Sequence, residues 1–185
     1  MKTLLLTATL SSLVAILQTY DDLPFISEED KLSGVWFIKA IVNQRREVEG
    51  KSLVVFPIKF TCPEEGTLEF RHTLTSEGEC IHLEVRMQRT EEPGQYSAFW
   101  GHTLFYIYDL PVKDHYIMYS ESHPFQKISQ LGFLIGKYPE ENQETLEVFK
   151  EFIQHKGFLQ ENIHVPEQRD RCIPTHDSAH QDHKC

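Results

Sequence analysis

The sequence predicts an all-β protein, a barrel or a sandwich, with one α-helix late in the chain. Three observations lead there. Apolar and polar residues alternate through 81–88 and, with His72 standing on the apolar face, through 68–74, the period of strands with one dry face and one wet face. Turn chemistry such as Pro63-Glu64-Glu65-Gly66 and Glu91-Glu92-Pro93-Gly94 punctuates the chain at short intervals. A single segment, 142–156, carries helical periodicity with capping residues at both ends.

The first residues stand apart from this pattern. Lys2 precedes an almost wholly apolar run from Leu4 to Ile16, followed by Gln18-Thr19. A run of that length without a polar face reads as the core of a signal peptide and is too short for a membrane span. The expected division is a leader over 1–19, one domain over 20–172 and a flexible polar tail over 173–185. The mature chain is therefore expected to be soluble and secreted, with no membrane span. The 185 residues carry a formal charge of −10, a field that repels phosphate backbones and argues against nucleic acid as a partner. No Asn-x-Ser/Thr triplet occurs, so N-glycosylation is not expected. The cysteines are Cys62, Cys80, Cys172 and Cys185. In an oxidising compartment they are disulfide candidates with three pairings open, and no C-x-x-C spacing suggests zinc.

Taken in order, the chain enters through an acidic stretch, Ser27 to Asp30, to Gly34, where a tight turn needs no Cβ. Trp36 to Val42 is apolar extended chain, interrupted by Lys39. The charged segment 43–51 has the length of a lid loop. A strand follows over 54–61, with Val54, Phe56, Ile58 and Phe60 on one face. Pro57 cannot donate to a ladder, so a bulge or break is expected there. In the next strand Leu68, Phe70, His72 and Leu74 oppose Glu69, Arg71 and Thr73; in the one after, Ile81, Leu83, Val85 and Met87 alternate with His82, Glu84, Arg86 and Gln88.

Another strand is expected over 96–100. Those over 103–108 and 116–119 are apolar on both faces, so something must cover them from outside. The last strand is expected over 128–135. Asn142 caps the helix, Glu144 lies in its first turn, and His155-Lys156-Gly157 closes it. Leu146, Phe149 and Ile153, with Val148 and Phe152, give it a wide apolar face suited to that cover.

Periodicity does not choose between a barrel and a jelly roll, although a jelly roll leaves the late helix and the early Gly34-x-Trp36 unexplained. Gly34-x-Trp36, Lys113-Asp114-His115-Tyr116 and Gly136-Lys137 resemble the three motifs of the lipocalin family. The stretch Arg89 to Ala98 is similar to the odorant-binding and tear lipocalin branch. This resemblance implies an eight-stranded up-and-down antiparallel barrel, with the helix packed outside on its last three strands. Gly34, Trp36 and Lys137 would form the floor. Lysine stands where the family usually has arginine, keeping a cation–π contact but losing the planar fork. The resemblance also implies a Cys80–Cys172 disulfide, whose long loop would contribute about 4 kcal/mol through unfolded-state entropy.

Functionally, the resemblance implies a secreted carrier of small lipophilic ligands, odorants or pheromones, in nasal or vomeronasal mucus. It implies no cofactor, no metal and no enzymatic activity. A receptor or a weak homodimer stands open as a further partner. Strand parity together with the family register puts Phe56, Ile58, Phe60, Leu68 and Phe70 on the ligand-facing wall. Leu83, Val85, Met87 and Ala98 continue it, and Leu104, Tyr106, Ile117, Tyr119, Leu131 and Phe133 complete it. Tyr106 and Tyr119 would offer hydrogen bonds to a ligand oxygen. This set carries no charge, which favours neutral ligands over acids and amines. Arg45, Arg46 and Lys51 in the lid loop could meet a carboxylate at the open end.

Two other chemistries fit parts of the sequence. Some lipocalins isomerise prostaglandins with a barrel thiol, and Cys62 shares the inward parity of its strand. His176, His180, His183 and Cys185 could together hold Zn²⁺ or Cu²⁺, although a polar tail of this kind reads more simply as solvated chain. His72, on an apolar face, reads as a core histidine with its hydrogen bonds satisfied.

Overall fold

A computed structural model describes residues 23–43, 53–76, 78–123 and 128–174. The expected leader, most of the lid loop and the histidine-bearing tail lie outside these described residues.

Eight strands close on themselves. They are β1 (Gly34–Asn43), β3 (Ile58–Glu64), β4 (Thr67–Ser76), β5 (Glu79–Arg89), β6 (Gln95–Ala98), β7 (Thr103–Asp109), β8 (His115–Ser122) and β9 (Ser129–Gly136). Each pairs antiparallel with the next, and β9 returns to pair with β1. Closure leaves no open edge to the sheet. Short segments decorate the barrel: β2 (Val54–Val55), β10 (Ile163–His164) on β1, and β11 (Glu167–Gln168) parallel to β2. Pro57 separates β2 from β3, the break its missing N–H demands.

Two differences from the expected elements have local causes. The strand expected to reach Trp100 ends at Ala98. Phe99, Trp100 and Gly101 then take φ of 50°, 56° and 85° in the β6–β7 hairpin tip, so the backbone has left the extended region. Trp100 is 97% exposed there. The second difference is a bulge in β1. Ile38 pairs with Ile135 but Ala40 pairs with Leu134, so Lys39 is the extra residue. Its ammonium turns onto the carbonyls of Tyr138 (3.0 Å) and Glu140.

The helix α1 (Gln143–His155) begins where the sequence indicates, with the Asn142 side chain accepting from the Thr145 N–H at 3.0 Å. Gly157, at φ 86°, follows its C-terminal end. Phe149, Phe152 and Ile153 pack on Ala40, Val42, Ile117, Tyr119 and Leu134, forming a core outside the barrel. The helix therefore covers β8, β9 and β1, and Phe152 reaches β7 at Tyr108, with ring centroids 4.7 Å apart. Gly132 is what lets it sit so close: a Cβ there would lie 2.7 Å from Ile153 and 2.9 Å from Val42. A second core, with Trp36, Ile58, Phe60, Leu68, Met87 and Ile107, lies inside the barrel.

Cys80, at the start of β5, is bonded to Cys172 across 92 residues of chain. Replacing both by serine is expected to lower unfolding free energy by about 4–5 kcal/mol, because the denatured chain regains the closed loop's entropy. Urea denaturation of both proteins measures this, and equal midpoints and slopes would refute it.

Candidate functional site

The floor of the barrel is built around Trp36. Its Nε1 donates to the Leu32 carbonyl at 2.6 Å, from the 3₁₀ turn Glu29–Leu32 that runs beneath it. Tyr116 meets the indole edge-on with centroids 5.3 Å apart, and Lys137 Nζ lies 4.7 Å from the ring centroid. Lysine thus supplies the expected cation–π contact. Gly34, at φ 111°, admits this ammonium closely, since a Cβ there would stand 3.0 Å from it. Tyr96, buried beside the floor, donates to Glu29 Oε1 at 3.0 Å. Burial first, and then Glu29, raises its pKa well above the ordinary phenol range.

Above the floor the wall is mainly apolar. Phe60, Phe70 and Phe105 form a chain of rings, with centroids 5.9 Å and 6.1 Å apart. The inward face of β5 records the depth of the calyx. Met87 is fully buried and Val85 half-buried, while Leu83 is 42% and Ile81 40% exposed. That gradient runs from a closed floor to an open mouth. Ile58, Phe60, Leu68, Phe70, Val85, Met87, Ala98 and Phe133 all belong to the interior cluster or pack against it. Leu83 shares their parity at the mouth, and Leu131 shares the face of Phe133.

Several expected wall residues are elsewhere. Ile117 and Tyr119 are buried on the outer face of β8 beneath α1, and Tyr106 packs against the same outer cluster. Leu104 has the parity of Tyr106 on β7 and is likewise outward. The inward residues are instead Phe105, Ile107, Tyr116 and Met118. Tyr119 is held in place by its hydroxyl, which donates to Glu121 at 2.7 Å and accepts from Gln130 at 2.6 Å. The Tyr106 hydroxyl accepts from Gln95 at 3.2 Å. Neither tyrosine faces the barrel interior. Phe56 is buried but belongs to neither core; across the Pro57 break it is Val55 that enters the interior. No sequence signal distinguished the two faces of β7 and β8, because both are apolar. Tyr96 was accessible by parity with Ala98.

Cys62 lies at the floor end of β3, bordering a cleft of about 390 Å³ lined by Ser27, Glu28, Glu29, Asp30, Glu64, Glu65 and Arg89. Its Sγ is 3.6 Å from the Glu29 carbonyl. Burial, then Asp30 and Glu29, raise the thiol's pKa. A nucleophilic cysteine needs the opposite setting, one that stabilises thiolate. Among the described residues, no group of three or more His, Cys, Asp or Glu is arranged to hold a metal ion.

Comparison with known proteins agrees with this geometry. The model of the Lipocalin / cytosolic fatty-acid binding protein family matches residues 33–170. Vomeronasal secretory protein 2 of Mus musculus is 87% identical over 185 residues, covering 100% of both chains. Odorant-binding protein 2a of Mus musculus is 36% identical over 175 residues, 94% of this chain and 98% of its own. Among solved structures, the siderocalin Ex-FABP superposes with a TM-score of 0.65 at 15% identity, covering 77% of this chain and 97% of that one.

Two outcomes follow from the floor. Trp36→Ala is expected to cost about 3–5 kcal/mol as a buried large-to-small change, read by thermal or urea unfolding; a melting point within a degree or two of wild type would contradict it. At pH 8, iodoacetamide is expected to alkylate Cys62 more slowly than a free cysteine peptide, because less of it is thiolate. Faster alkylation would reverse the reading of its acidic surroundings.

Proposed function

Because this chain belongs to the lipocalin family, a family of secreted small-ligand carriers, we propose that it carries small lipophilic molecules in its calyx, odorants or pheromones among them. Secretion through the leader over 1–19 into nasal or vomeronasal mucus is part of the proposal, supported by the names of its relatives. Among the described residues, no helix is long and apolar enough to cross a membrane.

The observation that carries the reading is the inward surface of β4 and β5. Leu68, Phe70, Leu74, Ile81, Leu83, Val85 and Met87 form an uncharged strip that passes from buried to exposed along the strands. A molecule entering there would exchange water for apolar wall, gaining about 25 cal/mol per Å² of surface removed from solvent. A charged ligand would lose hydration without finding a counter-ion on this strip. Neutral aldehydes, esters and alcohols are therefore the favoured class. The flexible thioethers of Met87 and Met118 let the wall adapt to different shapes, favouring breadth over selectivity. The competing reading, a thiol isomerase using Cys62, would require thiolate at a position whose neighbours oppose it.

The test is displacement of an apolar fluorescent probe. Neutral volatile aldehydes, esters or alcohols are expected to displace it at micromolar concentrations from the wild type. Val85→Asp is expected to lose that displacement while retaining the far-ultraviolet β signature, since a carboxylate on the wall keeps water in the calyx. Undiminished binding by that variant would mean that the inward face of β5 is not the ligand wall.

A further inference from the structure

On the inward faces of β4 and β5, from Leu68 to Leu74 and from Ile81 to Met87, one residue is polar. His72 lies on the inward face of β4, two residues beyond Phe70, and pairs with Leu83 of β5. Its Nδ1 is buried and has no hydrogen-bond partner. The groups presented to it are apolar: Phe70 and Leu74 on its own strand, Ile81, Leu83 and Val85 on β5, Ile58 and Phe60 on β3, and Val55 on β2. The titratable group on these inward faces, among the described residues, is Cys62, toward the floor. Lys59, Glu69, Arg71, Glu84 and Arg86 have the opposite parity and point away from the calyx.

A core histidine is expected to have its ring nitrogens satisfied, because a buried polar atom without a partner gives up its hydrogen bond to water and gains nothing in return. Desolvation holds His72 below the ordinary histidine range, with no charged neighbour offsetting it. The ring is therefore neutral at pH 7, with one nitrogen able to donate and the other to accept. A neutral imidazole in an apolar wall is matched by a hydroxyl or carbonyl oxygen on an otherwise apolar molecule. An amine would bring a charge that the wall cannot pair, and a hydrocarbon would leave the imidazole unsatisfied.

We propose that His72 is the polar anchor of the calyx, hydrogen-bonding the oxygen of a neutral, singly oxygenated ligand whose apolar body lies against Phe70, Leu83 and Val85. The assignment rests on the carrier reading above and takes the place that Tyr106 and Tyr119 leave empty by facing outward. It divides the work of the wall: area supplies affinity for any apolar body, and His72 supplies the preference for an oxygen.

The test compares 2-phenylethanol with ethylbenzene, molecules alike except for one hydroxyl, as displacers of an apolar probe from wild type and from His72→Leu. The wild type is expected to favour the alcohol relative to His72→Leu by about tenfold in the ratio of the two dissociation constants. Ethylbenzene should bind the variant as well as or better than the wild type. An unchanged ratio, with both ligands still displacing the probe, overturns the anchor and leaves the carrier standing. Failure of both ligands to displace the probe from the wild type sinks the carrier reading itself. A measurement on the unaltered protein decides the matter if the variant misfolds. The ¹⁵N resonances of the His72 ring should move on adding 2-phenylethanol but not on adding ethylbenzene. Equal responses to the two refute the hydrogen bond.

Discussion

The double pairing of β1, to β3 on one side and to β9 on the other, is the constraint on which the rest of the structure depends. A closed sheet has one interior, so each strand's parity is fixed relative to its neighbours' all the way round. β1 must serve two interiors, because its lower half faces the calyx while its upper half also supports α1. The bulge at Lys39 reconciles them. Below it Trp36 and Ile38 point inward; above it Ile41 points inward, and Ala40 and Val42 turn to the helix. The Ile38 carbonyl at the bulge accepts from Gln168 Nε2, and the Lys39 ammonium is received by carbonyls just beyond β9. The C-terminal segment thus completes the strand that closes the barrel.

The helix and the calyx are linked through the same strands. Gly132 brings α1 onto β9 and β1, and the aromatic layer of Tyr108, Tyr119 and Phe152 fills the space between, with Lys156 Nζ 5.3–5.7 Å from their ring centroids. Burial of this kind raises the Tyr108 phenol to about 12, so the layer stays uncharged at physiological pH. On the opposite side, β4 and β5 have no helix over them. Ion pairs line the outside there, Arg71 of β4 to Glu84 of β5 at 2.8 Å and Arg86 of β5 to Glu64 at the end of β3 at 2.5 Å. Such exposed pairs are worth little in stability and serve mainly to keep that wall wet on the outside.

This asymmetry explains what could be read from the sequence. Where a strand separates water from the calyx, as β4 and β5 do, charged residues mark the outer side and every inward residue from Leu68 to Met87 follows from alternation. Where a strand separates the calyx from a helix, as β7 and β8 do, both faces are apolar and alternation carries no sign. Parity with the family register points to Leu104, Tyr106, Ile117 and Tyr119, whereas Phe105, Ile107, Tyr116 and Met118 occupy the interior. The floor was legible because Gly34, Trp36 and Lys137 form a motif rather than a period. The bulge at Lys39 was not, since its cause lies about a hundred residues away, beyond β9. At His72 the sequence shows an imidazole on an apolar face, but not that its Nδ1 lacks a partner, which only the packing of β2, β3 and β5 around it decides.

The bond between Cys80 and Cys172 turns the chain into a lariat. Its ring contains β5 to β9, α1 and both C-terminal strands, while β1 to β4 hang from it as a tail. A nick at the exposed Trp100 hairpin or between 123 and 128 falls within the ring, so the two pieces remain one molecule. A nick between 43 and 53 falls in the tail and leaves β1, with the floor tryptophan, held by hydrogen bonds and packing alone. The covalent closure therefore joins β5 to β9 and α1 into one ring, while the hold of β1 on its neighbours is noncovalent once the chain is cut before β2.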